Sequence, residues 1–234
     1  MWQFTHILKK ELKDYFISPI AYIVISIFLI ITGWFFFSTF FLYDQANMRG
    51  FFSLLPIIFS FVIPAITMRL FAEEFNIGSY EILQTMPVTF SDIIFGKFAA
   101  GFVMTGAMLL PTLAYPVSIA FIGDLDWGPV IGGYLGALLL GGTFSAIGVF
   151  ASALTHNQII AFILGAAICF VLTLVDKMLF FFPESILNII EYLGADFHFR
   201  NVARGIIDSR DLIYFISVIF ISLYSTYLAL LKKE

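Results

Sequence analysis

Apolar positions along this chain do not alternate with polar ones. They fall into long runs separated by short polar stretches. The runs cover about Ile20–Tyr43, Phe51–Met68, the stretch from Lys97 to about Ile122, 130–154, Ile159–Val175 and Leu212–Leu231. A helix rises 1.5 Å per residue, so a run of roughly 17–25 apolar residues crosses a bilayer. The pattern predicts an all-α integral membrane protein with six transmembrane helices and one membrane domain over residues 1–234. Ahead of the first run, Phe4, Leu8, Leu12 and Tyr15 recur at three or four residues, with Ile7 and Phe16 beside them. Lys9, Lys10, Lys13 and Asp14 lie away from that stripe. Residues 2–16 are therefore expected to form an amphipathic interfacial helix, its apolar face in the headgroup region and its lysines toward anionic lipid. A charged leader before a signal anchor is the plainer alternative. Ser18-Pro19 turns the chain into the first span.

Two interruptions stand out. Residues 69–97 hold Glu73, Glu74, Glu81 and Asp92, with Gly78 to end one helix and Pro87 to end another. Ser79 is a candidate N-cap for a short helix reaching Met86, on which Ile77, Tyr80 and Leu83 share an apolar face. Thr89 and Ser91 are candidate caps for the helix that follows. Such an element suits docking into a groove on a soluble partner or lying on lipid, and the residues alone do not separate the two. The second interruption, 176–211, is too apolar for a free loop and too broken for a span. Phe180–Phe182 and Pro183 lead into ESILNIIEYLG, where Ile186, Ile189, Ile190 and Leu193 mark a face and Gly194 fits a C-cap. This region predicts short re-entrant helices, with Arg204 and Asp208 spaced to pair on one of them. Pro56 and Pro64 kink the second span, and Pro111 and Pro116 break the third near its outer end. Gly132 and Gly136 form a small-xxx-small pair for close packing of the fourth.

Composition supports this class. The chain is 61% hydrophobic and 12% charged, against about 25% charged in soluble domains. The net charge of −4 suggests no nucleic-acid partner, and the one cysteine, Cys169, excludes an internal disulfide. With six spans both termini share a side. That side holds Lys9, Lys10, Lys13, Arg69, Lys97, Lys232 and Lys233, while Arg49 is the base of the short loops opposite. The bias predicts cytoplasmic termini, a cytoplasmic 69–97 segment and an external 176–211 segment. His6, His156 and His198 are scattered, so no metal site is legible. No P-loop is present, and the Glu73-Glu74 pair lacks the Arg and His of a Glu-Glu intramembrane protease, so an enzyme is not expected. The spans are expected to carry no charge near their middle. Ser53, Ser60, Thr67 and Thr173 are candidate pathway linings, though such hydroxyls also bond back to their own helix.

The run IPAITMRLFAEEFNIGSYEILQTMPVTFSDIIFGKF, Ile63–Phe98, resembles the signature of ABC type-2 permeases, near E-E-x-x-x-G-[ST]-x-E-x-L-x-[ST]-x-P. Glu73, Glu74, Gly78, Ser79, Glu81, Leu83, Thr85 and Pro87 carry the match. The run FHFRNVARGIIDSRDLIYF resembles the segment before the last span in the gliding-motility-associated permease group, through His198, Arg204, Gly205, Asp208, Arg210, Asp211 and Tyr214. The resemblance implies a permease subunit of an ATP-driven exporter in a bacterial inner membrane. Residues 2–16 would be its connecting helix, the helix near Ser79–Met86 its cytoplasmic coupling helix, and 176–211 its external re-entrant helices. Two copies of a separate ATP-binding subunit would bind ATP and Mg, with no cofactor in this chain. A second permease chain would complete the pathway, with room for an extracytoplasmic accessory subunit. Two alternatives are a mechanotransmitting permease that moves no solute and a non-ABC membrane scaffold or channel. An adjacent ATP-binding-subunit gene would favour the first two readings over the last.

Overall fold

The computed structural model describes residues 2–43, 47–85, 87–178, 191–206 and 208–232. Among the described residues every regular element is helical. In chain order these are α1 (Trp2–Ile17), α2 (Pro19–Tyr43), α3 (Arg49–Thr67), α4 (Arg69–Ile77), α5 (Ser79–Gln84), α6 (Phe90–Leu109), a 3-10 turn (Pro111–Leu113), α7 (Ala114–Ala120), α8 (Trp127–Leu154), α9 (Gln158–Leu174), α10 (Ala195–Ala203) and α11 (Ser209–Leu231). Among the described residues five stretches are long and apolar enough to cross a membrane: Pro19–Ser38, Arg49–Ile77, Phe90–Ala120, Trp127–Leu154 and Ser209–Leu231. The 17-residue α9 is apolar but shorter. The chain is an all-α, multi-pass membrane protein.

Helix α8 is the axis. Its apolar window is 78% buried, against 22% for α2 and α11, and α3, α6, α9, α10 and α11 all pack on it. Lipid tails are as apolar as leucine, so this centre is held by close van der Waals approach more than by expulsion from water. The glycines of α8 permit that approach: a Cβ at Gly148 would collide with the Thr67 hydroxyl, and one at Gly132 with the carbonyl of Val202. Gly132 and Gly136 therefore seat α10, with Phe199 and Val202 against Gly136. The hydroxyls of Ser53, Ser60, Thr67 and Thr173 donate to carbonyls three or four residues back on their own helices, so they are not turned toward a shared path.

The prolines act at different places. Pro56 and Pro64 are accommodated within α3, whereas α6 stops at Leu109 before Pro111 and restarts as α7 after the 3-10 turn. At the start of the chain, the buried line of α1 is Ile7, Glu11 and Tyr15 rather than the neighbouring Phe4–Leu8–Leu12 line. It faces α6, where Ile7 closes on Gly96.

The expectations for 176–211 fare differently. Residues 191–193 are helical and Gly194 ends that turn, its amide donating to the carbonyl of Glu191 at 3.1 Å; with φ −72° and ψ 120° it is extended and stands at the N-cap of α10 as well. Arg204 lies past the end of α10 and Asp208 caps α11, so the two do not share a helix. The face over Ile186, Ile189 and Ile190, with Phe180–Phe182 and Pro183, lies outside the described residues.

Candidate functional site

The 69–97 stretch folds into the bundle more deeply than its polarity implies. Helix α3 ends at Thr67 and α4 begins at Arg69. Across that break, the amides of Phe71 and Ala72 both donate to Ser152 Oγ at 3.0 Å, and this hydroxyl donates to the carbonyl of Met68 at 2.7 Å. One side chain from α8 thus satisfies backbone groups that the interrupted helix ladder leaves over. Gly78, at φ 72° and ψ 7°, is the left-handed C-cap of α4 and turns the chain into α5. Ser79 is the first helical residue of α5 and not its cap, and α5 ends at Gln84. Tyr80 tucks under this corner, edge-on to Phe75 at 4.8 Å and to Phe71 at 6.3 Å. Ile77 does not join it: it is 68% exposed, with Asn76, Gly78 and Glu81 exposed around it and Leu83 half-buried. Glu73 Oε2 lies 3.6 Å from Arg69 Nε. Thr89 caps α6 by accepting from the Asp92 amide, and the Pro87 carbonyl accepts from the Gln3 side chain.

Behind the corner is a buried ionic cluster. Lys97, two turns into α6, has no exposure at all. Its Nζ has three donors and three acceptors around it: Glu11 Oε1 at 2.8 Å, Glu74 Oε2 at 2.9 Å and the carbonyl of Leu70. It also lies 5.0 Å from the centre of the Phe71 ring. Lys10 donates to Glu74 Oε1 at 2.6 Å from the solvent side. Burial alone would lower the Lys10 ammonium; the Glu74 carboxylate outweighs it and holds Lys10 above its ordinary value. The cluster joins α1, α4 and α6, and its two lysines balance its two glutamates. Two open crevices flank the Lys10–Glu74 pair. One is about 360 Å³ beside Gln3, His6 and Leu83, and the other about 440 Å³ beside Asp14, Arg69 and Glu73. Tyr15 closes the neighbouring turn by donating to the carbonyl of Ile66 at 2.9 Å beneath Arg69, and burial pushes its phenol well up.

These positions revise the sequence reading of the site. Glu73, Gly78, Glu81 and Pro87 are outward or half-exposed, but Glu74 is 8% exposed and is engaged within the chain by two lysines, so it does not face a docking partner. Lys97, read as a border base, lies near the start of a candidate span as expected but is fully buried there. Sequence reasoning passed over Glu11, Lys97 and Ser152. A signal existed for Glu11: it falls midway between Ile7 and Tyr15 on one helical line, a carboxylate on an otherwise apolar stripe.

The second motif lies at the other end of α8, about 30 Å away along the twenty residues from Gly132 to Ser152. His198 is fully buried, its Nδ1 2.6 Å from Asp211 Oδ1 and its Nε2 3.0 Å from the carbonyl of Tyr192. Tyr214 stacks on the ring at 4.0 Å and donates to the carbonyl of Leu193 at 2.7 Å. Gly205 takes a positive φ of 84° against Gly128, and Asp208 accepts from the Arg210 amide as N-cap of α11. Arg204 and Arg210 are exposed. On the other face of α10, Arg200 pairs with Asp176, and Asp196 Oδ2 lies 3.2 Å from Lys177 Nζ. Burial, then the neighbouring Asp196 carboxylate, raise the Asp176 carboxyl above its ordinary value, while Arg200 and Lys177 oppose them.

No protein-family model matches the chain, and no curated protein matches it.

Proposed function

We propose that this chain is the permease subunit of an ABC-type transporter, converting ATP-driven movement of a separate ATP-binding subunit into rearrangement of its membrane helices. In this reading the spans number six, formed by α2, α3 with α4, α6 with α7, α8, α9 and α11. Both termini and the α4–α5 corner are cytoplasmic, in a bacterial inner membrane. Two ATP-binding subunits supply ATP and Mg, a second permease chain completes the assembly, and α10 belongs to an external re-entrant segment.

The observation that carries the reading is the build of the α4–α5 corner. A docking element that transmits force must be presented outward and be fixed rigidly behind. Ile77, flanked by Asn76, Gly78 and Glu81, is presented outward. Behind it, Lys97, Glu11 and Glu74 tie α4 to α1 and α6, and Ser152 ties it to α8. Displacing the corner therefore loads three other helices at once. Mechanotransmission without solute movement is the second reading, favoured by the hydroxyls of Ser53, Ser60, Thr67 and Thr173 turning back onto their own helices.

The test is purification of the tagged chain in mild detergent, followed by ATP hydrolysis, with Ile77→Glu and Glu81→Lys on the outward face. Both side chains are exposed, so the fold should survive. An ATP-hydrolysing subunit that copurifies with the unmodified chain and is lost or uncoupled in the double variant supports the reading. If no such subunit is recovered, even after crosslinking, the chain is a scaffold or channel instead.

A further inference from the structure

Histidine normally carries one ring proton and therefore makes one donor and one acceptor contact. His198 faces two acceptors. Nδ1 meets a carboxylate oxygen of Asp211 at 2.6 Å, and Nε2 meets the backbone carbonyl of Tyr192 at 3.0 Å. A carbonyl has no proton to give, so Nε2 must carry one. A second proton must then lie between Nδ1 and Oδ1, because two lone pairs do not approach to 2.6 Å. The remaining contacts agree. Among the described residues Asp211 Oδ2 is buried with no hydrogen-bond partner, and Asn201 Nδ2 reaches Oδ1 at 3.5 Å, so the ring is the main compensation there for this carboxylate. Buried without that compensation, the charge would be costly.

We propose that His198 and Asp211 together form a proton-binding site whose shared proton latches the 191–194 stretch onto α10 and α11. Both descriptions of the pair, imidazolium with carboxylate and imidazole with carboxylic acid, hold the same two protons and the same net charge. Removing one leaves a ring with a single N–H facing two acceptors. Either the Asp211 contact or the Tyr192 contact must then open. Among the described residues the stretch has one other side-chain hydrogen bond here, from Tyr214 to the carbonyl of Leu193. The ring is enclosed by Tyr192 and Phe197 from the preceding chain and α10, and by Tyr214 and Phe215 from α11. Among the described residues Asp211, Tyr214 and Tyr192 are the titratable groups that touch it. Asp196 and Arg200, two residues to either side on α10, project to the opposite face and pair with Lys177 and Asp176. Asp208 and Arg210 at the start of α11 are exposed, and α3, α8 and α9 place no charged contact on the ring. The site does not depend on the permease reading.

The test uses the full chain in lipid nanodiscs with histidine labelled at its ring nitrogens, in a His6→Asn, His156→Asn background so that a single ring reports. At neutral pH both nitrogens of His198 are expected to be protonated. As the pH is raised and the shared proton leaves, hydrogen exchange across residues 191–194 is expected to speed up about tenfold, the loss of one charge-assisted hydrogen bond. Asp211→Asn should leave one ring proton throughout, on Nε2, with the new side-chain amide donating to Nδ1, so exchange in 191–194 should no longer respond to pH. Tyr214→Phe should speed exchange at every pH while the ring keeps both protons at neutrality. If Asp211→Asn does not fold, the pH series on the chain with an intact pair and the Tyr214→Phe variant carry the test alone. A ring with a single N–H at neutral pH overturns the proposal. So does exchange in 191–194 that ignores the loss of the second proton.

Discussion

The chain buries charge at both ends of α8, and the two clusters are built to opposite rules. At the α1 end, Lys97 donates to Glu11 and to the Leu70 carbonyl and pairs by charge with Glu74, whose Oε2 has no hydrogen-bond partner among the described residues, and two lysines balance two glutamates. At the α10 end, Asp176 Oδ1 and Asp211 Oδ2 are buried without hydrogen-bond partners, and one ring holds two acceptors. A cluster of balanced, non-titrating charges resists change, because any substitution leaves a buried charge behind. A carboxylate whose main partner is an imidazole ring has a second state within reach, because a proton can enter or leave. The first arrangement suits a rigid joint and the second a responsive one.

The largest effect should come from Lys97→Met. It takes the enclosed cation from Glu11 and Glu74, leaving both to the half-exposed Lys10, and removing one partner of a buried pair costs about 3–5 kcal/mol. Thermal unfolding in detergent should show a large loss of stability, with α1 detaching from α6 in hydrogen exchange. Adding Glu11→Gln and Glu74→Gln should recover much of it, since a neutral, shape-matched replacement of a whole ionic group is often tolerated. If Lys97→Met alone is as stable as the unchanged chain, the joint is not structural. Next comes Ser152→Ala, which orphans the amides of Phe71 and Ala72 and should cost about 1–3 kcal/mol, read as faster exchange confined to the start of α4.

How far these two ends were legible in the chain follows from distance along it. The helices come from runs of apolar residues, a local property, and the break at Pro111 and the cap at Thr89 are local too. The exposed members of the first motif, Glu73, Gly78 and Glu81, were visible for the same reason. The joint was not. Lys97 and Glu11 lie 86 residues apart, and Ser152 lies 81 from Phe71, so no window contains both partners. Glu74 was misplaced because adjacent glutamates look equivalent in a string. On a helix they are 100° apart, which puts Glu74 inward and Glu73 toward Arg69. His198 and Asp211, 13 residues apart, were found as motif members, but their pairing needed the turn at Gly205.

A pH comparison sharpens the contrast further. The Asp176 carboxyl is held above its unfolded value by burial, so its ionised form weakens the folded state. For an acid raised on folding, that penalty is present above the folded pKa and is relieved as pH falls through it toward the unfolded value. Mild acid should therefore slow hydrogen exchange in α10, and Asp176→Asn should abolish the response. Lys10 is a base raised on folding, so its contribution is complete below its unfolded value and is lost only as pH rises through the raised one. Over the same acid range Lys10 should contribute no change. A response of equal size at both ends would erase the distinction between them.

The smallest expected effect separates the two lysines of the rigid joint. Both touch Glu74, at 2.6 Å for Lys10 and 2.9 Å for Lys97, so distance alone ranks Lys10 as the stronger partner. Burial reverses the ranking. The Lys10 side chain is 50% exposed and Lys97 fully enclosed. Water screens the first pair and holds its worth to about 0.5 kcal/mol, while the second pair has no solvent to fall back on when broken. Double-mutant cycles with Lys10→Met, Lys97→Met and Glu74→Gln measure both couplings in one system. The Lys10–Glu74 coupling should be small and fade with added salt, and the Lys97–Glu74 coupling should be several times larger and indifferent to salt. Equal couplings would mean that the crevices beside Lys10 are closed in the membrane. The joint would then be a four-membered unit instead of a buried pair of carboxylates around one lysine with a solvent-side escort.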